Sequence, residues 1–194
     1  MALKRSAALL GLAYAAALSM AAAAQTPTDG PRYSGNALLR PEYREWVFLA
    51  SGLGMTYQPA NDAQSRPPAF TNVFVNPSAY RAFMQTGTWP DQTVLVLEIR
   101  ASQSEGSINK GGRFQTTAAG LEIHVKDARF GGNGWAFFAM GAKDQAEPLA
   151  GSDVSMCVEC HAANGAVDNT FVQFYPTLLD VSRAKGTFKG GRNP

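Results

Sequence analysis

The chain has 194 residues, two cysteines and a formal net charge of +2 at pH 7, from 17 basic and 15 acidic residues. This length predicts one domain of ordinary size with a core of its own. Two of the basic residues, Lys4 and Arg5, lie in an N-terminal segment that we expect to be removed, which leaves a neutral chain. The charge balance therefore argues against nucleic acid or an anionic membrane as a partner.

Residues 1–24 have the pattern of a cleavable export signal. Lys4 and Arg5 precede an apolar run over residues 7–23, and small residues precede Gln25. The alternative is a retained membrane anchor, but the run is short for a span. A lipoprotein is disfavoured because no cysteine comes directly after the run. We expect a periplasmic or otherwise exported protein, with no membrane association after cleavage and a flexible mature N-terminus over residues 25–36.

Helix and strand signals alternate in the next part of the chain. Pro41, with acidic residues close by, predicts the start of a first helix. The polar residues 57–68 predict a loop. A strand is predicted over residues 70–75, followed by a helix over residues 78–85 that ends at Gly87.

The clearest strand covers residues 93–100. Its two faces carry Leu95, Leu97 and Ile99 on one side, and Val94, Val96, Glu98 and Arg100 on the other. A polar loop is predicted over residues 101–113, and one or two strands over residues 114–127. The sequence Gly131-Gly132-Asn133-Gly134 predicts a hairpin turn into a strand over residues 135–140.

The C-terminal part predicts a loop over residues 141–152, a short helix from about Asp153 and a helix over residues 176–185. The order of elements predicts an α+β fold, mainly an antiparallel β-sheet with flanking helices. A four-helix bundle is disfavoured because the middle of the chain alternates like strands and carries no heptads. We expect one domain over residues 37–186 and a flexible tail over residues 187–194.

The sequence Cys157-Val158-Glu159-Cys160-His161 is a C-x-x-C-H motif, which attaches c-type haem. In such a site Cys157 and Cys160 form thioethers with the haem, and His161 ligates the iron. A zinc site needs about four ligands. Beyond the three residues of the motif, the chain offers only one further histidine, His124. A thioredoxin-like redox dithiol is typically found near a βαβ unit, and the sequence predicts none here. We therefore predict one covalent haem c per chain, near the C-terminus.

Other short segments resemble one family of haem proteins. They lie at residues 43–46, 73–77 with Tyr80, 86–87, 120–122, 125–127, 134–137, 157–161 and 174–176. Their order and spacing over residues 40–182 resemble the cytochrome P460 family, which includes the cytochromes called c′-beta. The resemblance implies a mostly antiparallel β fold, commonly a homodimer, with one five-coordinate haem per chain.

The resemblance also implies two functional branches, namely cytochromes P460 that oxidise hydroxylamine and cytochromes c′-beta that bind nitric oxide. It places Leu97 where the hydroxylamine oxidisers have a lysine bonded to the haem edge. It places Thr71 at the position of a distal arginine and Glu122 at that of a distal carboxylate. Leucine has no nucleophilic atom, so we expect nitric oxide binding. The alternatives are a hydroxylamine-oxidising enzyme with Glu122 as catalytic base, and an electron carrier with an unknown redox partner.

Several single residues leave alternatives open. Glu122 is either a base over the iron or a solvated strand carboxylate. His124 shares the strand face of Glu122 and is a surface residue, a pocket group or a sixth iron ligand. Arg44 pairs with Glu42 or Glu45, or contacts a haem propionate. Four methionines either fill the core or offer a sulfur ligand to the iron, namely Met55, Met84, Met140 and Met156.

Overall fold

The computed structural model describes residues 29–56 and 67–191. The predicted signal peptide, most of the predicted loop over residues 57–68 and the last three residues of the tail lie outside these ranges. No helix in the described ranges is both long enough and apolar enough to cross a membrane.

The described residues form an α+β fold with two antiparallel sheets and three α-helices. The strands are β1 (Tyr33–Ser34), β2 (Ala37–Leu39), β3 (Val47–Leu53), β4 (Phe70–Val75), β5 (Thr93–Gln103), β6 (Phe114–Lys126), β7 (Trp135–Met140) and β8 (Gln145–Ala146). The helices are α1 (Pro77–Thr86), α2 (Ser152–Asn164) and α3 (Pro176–Ala184). The main sheet has the order β3-β4-β5-β6-β7 and the small sheet the order β1-β2-β8. The predicted fold class is confirmed.

The best-predicted elements carry strong local signals. Strand β4 has the predicted bounds. Helix α1 ends at Gly87, whose φ of 75° is the left-handed conformation that glycine adopts without steric cost. The one or two strands predicted over residues 114–127 are a single strand, β6, which ends at Lys126. Helix α2, which carries the C-x-x-C-H motif, begins one residue before the predicted Asp153.

The prediction of a helix that begins at Pro41 is wrong. Residues Tyr43–Glu45 form one 3-10 turn, and the chain then continues as strand β3 from Val47. Strand β3 pairs along its length with β4. The proline signal is local, whereas the strand depends on a partner that lies about twenty residues away in the sequence, so pairing overrides the local preference.

The main sheet has an apolar cluster on each face. One cluster contains Val94, Val96, Leu121, Ile123, Val125 and Phe138, together with Leu38 from β2. The other contains Val75, Leu95 and Phe137 with residues of α1 and α3, and Cys157 and Val158 of α2 pack against it. We call this second side the helix face. It is the side on which α2 holds the C-x-x-C-H motif over the sheet.

A buried carboxylate, Glu98, lies on the side of the sheet away from α2. It accepts hydrogen bonds from Tyr43 Oη at 2.9 Å, Asn72 Nδ2 at 3.1 Å and Arg100 Nη1 at 2.8 Å. Burial alone would raise the pKa of Glu98, but the hydrogen bonds from Asn72, Tyr43 and Arg100 and the charge of Arg44 outweigh it and lower that pKa. Glu98 is therefore ionised in the folded protein at neutral pH.

Arg44 forms an ion pair with Glu98. This contact corrects both interpretations of Arg44 from the sequence. It does not pair with Glu42 or Glu45, and it lies on the side of the sheet away from the C-x-x-C-H motif. No local pattern predicts this pair, because Glu98 follows Arg44 by 54 positions.

We expect Glu98→Ala to lower the free energy of unfolding by about 3 kcal/mol, because it leaves the Arg100 guanidinium and the Tyr43 hydroxyl without their acceptor. This is the low end for a broken buried pair, since Arg44 is more than half exposed. Glu98→Gln keeps an acceptor oxygen and should lose less. Urea denaturation measures both losses, and a loss below about 1 kcal/mol in Glu98→Ala would contradict the expectation.

The same pair predicts a pH dependence. The carboxylate pKa is lower in the folded than in the unfolded chain. Its stabilisation is therefore present above the unfolded pKa and is lost as the pH falls through the folded pKa. The difference in stability between wild type and Glu98→Gln should shrink on acidification.

Candidate haem-binding site

A cavity of about 350 Å³ lies between the helix face of the main sheet and α2. Its lining residues are Val73, Leu95, Leu97, Glu122, His124, Met156, Cys157, Cys160, His161, Thr170, Phe171 and Tyr175. This volume lies in the range of small-molecule sites, and most of the lining is apolar. The structure thus brings Leu97 and Glu122 together with all three functional residues of the C-x-x-C-H motif.

Strand pairing assembles the sheet side of the cavity. Leu97 lies directly opposite Val73 on β4 and Glu122 on β6. One row further along, Leu95 lies opposite His124. Residues two apart on a strand share a face, so these side chains form one patch towards α2. The predicted alternation of faces along β5 is confirmed.

Thr71 lies outside this patch. It pairs with Ile99, one row beyond Val73 on the same face, and it is not part of the cavity lining. The placement of Thr71 at a distal position therefore stays a prediction.

Helix α2 presents the two cysteines to the cavity. Cys157 and Cys160 are free thiols, each partly buried. Burial and the nearby carboxylate of Glu122 raise the pKa of Cys157. Cys157 and His161 are four positions apart and lie on one side of the helix, with Cys160 beside them. Both sulfurs and the imidazole can thus reach a single bound group.

The ring of His161 is oriented by the backbone. Its Nδ1 lies 2.8 Å from the carbonyl oxygen of Asn169. Donation of the Nδ1 proton to this oxygen leaves Nε2 with its lone pair for a metal. Burial lowers the pKa of His161, and the hydrogen bond to Asn169 only partly opposes this. Phe171 and Phe137 pack against the ring, with centroid distances of 4.4 Å and 5.1 Å.

The carbonyl of Asn169 belongs to a tight turn after α2. Asp168 and Asn169 have φ angles of 50° and 59°, in the left-handed region that Asp and Asn enter more readily than most residues. The turn also approaches Gly165 closely. A Cβ at Gly165 would lie 2.5 Å from the Asn169 carbonyl carbon and 2.6 Å from the His161 oxygen. Only glycine fits between the end of α2 and this turn.

We expect Gly165→Ala to destabilise the fold by about 2 kcal/mol, because the added methyl group overpacks this contact. It should also move the Asn169 carbonyl away from His161. Gly190→Ala is the control, since a Cβ at Gly190 meets nothing within 4 Å. Thermal denaturation compares the two variants, and equal stability would show that the turn yields without cost.

His124 is a pocket residue. Its ring centroid lies 4.5 Å from that of His161 and 4.5 Å from that of Phe137. Burial, followed by the charge of His161, holds the pKa of His124 well below its usual value. The surface interpretation is therefore wrong. The spacing of two from Glu122 on one strand is the sequence signal for this position, and the pocket interpretation of His124 is confirmed.

The methionines separate clearly in the structure. Met140 is buried in the cluster away from α2, whereas Met55 and Met84 are exposed and do not line the cavity. Met156 lines the cavity, although most of its surface is exposed. Thr170 also lines it, and no motif in the sequence marks that residue.

The arrangement matches a known family. The family model described as Cytochrome P460 matches residues 40–172, which include all of the main sheet and all of α2. The chain belongs to the cytochrome P460 family. This cytochrome is accordingly a haem-binding protein, and the resemblance drawn from the short sequence segments is confirmed. None of the curated proteins matches the chain.

The residues of this cytochrome P460 fit a haem. A neutral imidazole with a free Nε2 is the iron ligand of many haem proteins, and His161 offers one. The two half-buried thiols stand beside it on α2. Much of the remaining wall is apolar, with Val73, Leu95 and Leu97 suited to the face of a macrocycle, and Glu122, His124 and Thr170 are its polar members.

Proposed function

We propose that this cytochrome holds one haem c, attached through Cys157 and Cys160, with His161 as the proximal ligand, and that it binds nitric oxide or a related nitrogen-oxide ligand. The observation that carries the proposal is the single cavity in which the C-x-x-C-H side chains meet Leu97. When bound, the haem supplies an iron centre with an open position for a small ligand. The protein supplies the proximal nitrogen and the walls of the distal space.

Leu97 supports a neutral diatomic ligand. It lies in the cavity wall between Val73 and Glu122, and its side chain neither donates nor accepts a hydrogen bond. The polarity of the distal pocket is a main determinant of which ligands a haem protein binds. An apolar wall favours a ligand such as nitric oxide, which needs no hydrogen-bond partner. A leucine also forms no covalent bond to a haem edge.

A second function, hydroxylamine oxidation, is favoured by Glu122. Its carboxylate is solvent-accessible and lines the same cavity. From there it can accept a proton from an N–H or O–H group of a bound substrate. Glu122 would then be the catalytic base of a hydroxylamine oxidoreductase.

A plain electron carrier has less support, because it needs a sixth iron ligand. The ring of His124 contacts the ring of His161 directly, which leaves no room for a haem between them. With His161 as the iron ligand, His124 would lie on the same side of a bound haem and would not supply a sixth ligand. Met156 would be the remaining candidate from the cavity lining.

The ferrous absorption spectrum tests this proposal. Reduced holoprotein should show a five-coordinate, high-spin spectrum and should change to that of a nitrosyl complex on titration with nitric oxide. A low-spin, six-coordinate ferrous spectrum in the absence of added ligand would favour the electron carrier. Failure to form a nitrosyl complex would overturn the proposal.

We also propose that the protein is exported to the periplasm and forms a homodimer. The N-terminal sequence pattern supports export, and the family resemblance supports the dimer. Intact mass of the secreted protein should place its first residue at Gln25. Light scattering should give twice the mass of one chain, and a monomer at micromolar concentration would refute the dimer.

A further inference from the structure

We propose that the ion pair between Lys126 and Asp168 positions the proximal histidine, by holding the turn whose Asn169 carbonyl accepts the Nδ1 proton of His161. This inference rests on the proposed function in one respect, namely that His161 ligates the iron. Lys126 and Asp168 are positioning residues, since neither lines the cavity.

The ion pair is well formed and partly buried. Lys126 Nζ lies 2.8 Å from Asp168 Oδ2 and 2.7 Å from the carbonyl oxygen of Trp89. The side chains of Lys126 and Asp168 are only 22% and 33% exposed. Trp135 packs below the ammonium group, which lies 5.9 Å from the ring centroid. A pair with this burial and these extra partners is more firmly fixed than an ordinary surface ion pair.

Further hydrogen bonds fix the turn on both sides of Asn169. On one side, Asp168 Oδ2 also accepts from the backbone N–H of Trp89 at 3.2 Å. On the other, Thr170 Oγ1 accepts from Trp89 Nε1 at 2.8 Å and donates to the Val167 oxygen at 2.7 Å. Asn169 lies between these anchors. These contacts of its two neighbours restrict the movement of the Asn169 carbonyl away from His161.

The Asp168 side is the anchor that depends on charge. Asp168 is the direct neighbour of Asn169, and both residues are in the left-handed region. A non-glycine residue keeps this conformation only where its surroundings enforce it. Backbone hydrogen bonds between Val167 and Thr170 close the turn, and the Lys126 ammonium adds to this constraint through the Asp168 carboxylate.

The anchored carbonyl has a consequence for the iron ligand. A strong hydrogen bond from Nδ1 raises the basicity of a ligating imidazole and fixes its orientation. Loosening the turn should therefore weaken the bond between iron and His161. Strand β6 carries Lys126 as well as Glu122 and His124 of the cavity, so one strand both walls the cavity and anchors the proximal turn.

Lys126→Met and Asp168→Asn test the inference on the holoprotein. Resonance Raman spectroscopy of the ferrous form measures the iron–histidine stretching frequency, and redox titration measures the midpoint potential. We expect the stretching frequency to fall in both variants. The share of nitrosyl complex in which the bond to His161 is broken should rise a few-fold, because the hydrogen bond that orients the ligating imidazole is loosened.

The two variants separate positioning from simple charge. Removal of the Lys126 charge favours the ferric state by electrostatics alone, whereas removal of the Asp168 charge favours the ferrous state, so the two would shift the potential in opposite directions. A weaker histidine bond instead lowers the stretching frequency in both. The double variant should lower it no further than the larger single change, because both act through one contact.

Exposed residues of the same types supply the controls, Lys110→Met and Asp180→Asn, which should leave the stretching frequency unchanged. Asp168→Asn keeps an acceptor for the Trp89 N–H and tolerates the left-handed conformation, so it carries the test if Lys126→Met does not fold. An unchanged frequency in haem-bearing variants would overturn this inference alone. A wild-type protein without haem would instead overturn the proposed function.

Discussion

Replacing Cys157 and Cys160 together by alanine is expected to abolish covalent haem attachment. The two thiols are the only ones in the chain, and both line the cavity beside His161. A thioether requires a sulfur, and no other cysteine can take over. Denatured wild-type protein should keep its haem stain on a gel, whereas the double variant should lose all of it.

The matched control is Glu159→Ala, which changes an exposed residue between the two cysteines on the same helix. It should keep the full haem stain, because C-x-x-C-H leaves this position free. Haem that can be extracted from the denatured wild type by acid and solvent would show that attachment is not covalent. In that case His161 alone would have to hold the iron.

The cavity wall could be predicted from the sequence where a short period or a motif decides the structure. The alternation along residues 93–100 places Leu95 and Leu97 on one face, and the structure has them there. The C-x-x-C-H spacing needs only one helical turn to bring its three side chains together. The distal role of Glu122 is implied by the family resemblance alone and stays a prediction, although the strand register does place Glu122 opposite Leu97.

Contacts that depend on distant parts of the chain could not be predicted. The sequence does not reveal that Arg44 meets Glu98, because strand order and register decide it. Nor does it reveal the carbonyl of Asn169 as the partner of His161. Any residue has a carbonyl, so composition carries no signal for such a contact. The glycine at position 165 is the one sequence feature that this turn requires, because a larger residue would collide with Asn169.

Hydroxylamine turnover by the wild type is expected to be slow or absent. The family resemblance implies that a haem cross-link would need a nucleophile at the position of Leu97, and distortion of the macrocycle is one of the protein's main means of tuning haem chemistry. A proteolytic digest of the wild type should therefore yield haem on the Cys157–His161 peptide alone. A second haem-bearing peptide that contains a lysine would contradict this.

Leu97→Lys changes the site most directly, because it places an amine in the cavity wall opposite Glu122. We expect this variant to yield a second haem-bearing peptide and to oxidise hydroxylamine faster than the wild type, measured with an artificial electron acceptor. The control is Leu53→Lys, a change at an exposed leucine on edge strand β3, which should do neither.

Glu122→Ala decides between the two proposed functions. General-base help is worth roughly 10²–10⁴-fold, so removal of Glu122 should abolish turnover wherever turnover depends on it. Robust wild-type oxidation that disappears in Glu122→Ala would establish the enzyme as the primary function. An inactive wild type that binds nitric oxide equally well with and without Glu122 would leave the carboxylate as a solvated strand residue. Glu122 is the polar neighbour of Leu97 across the strands. If its removal does not change nitric oxide binding, the apolar wall around Leu97 accounts for the choice of ligand.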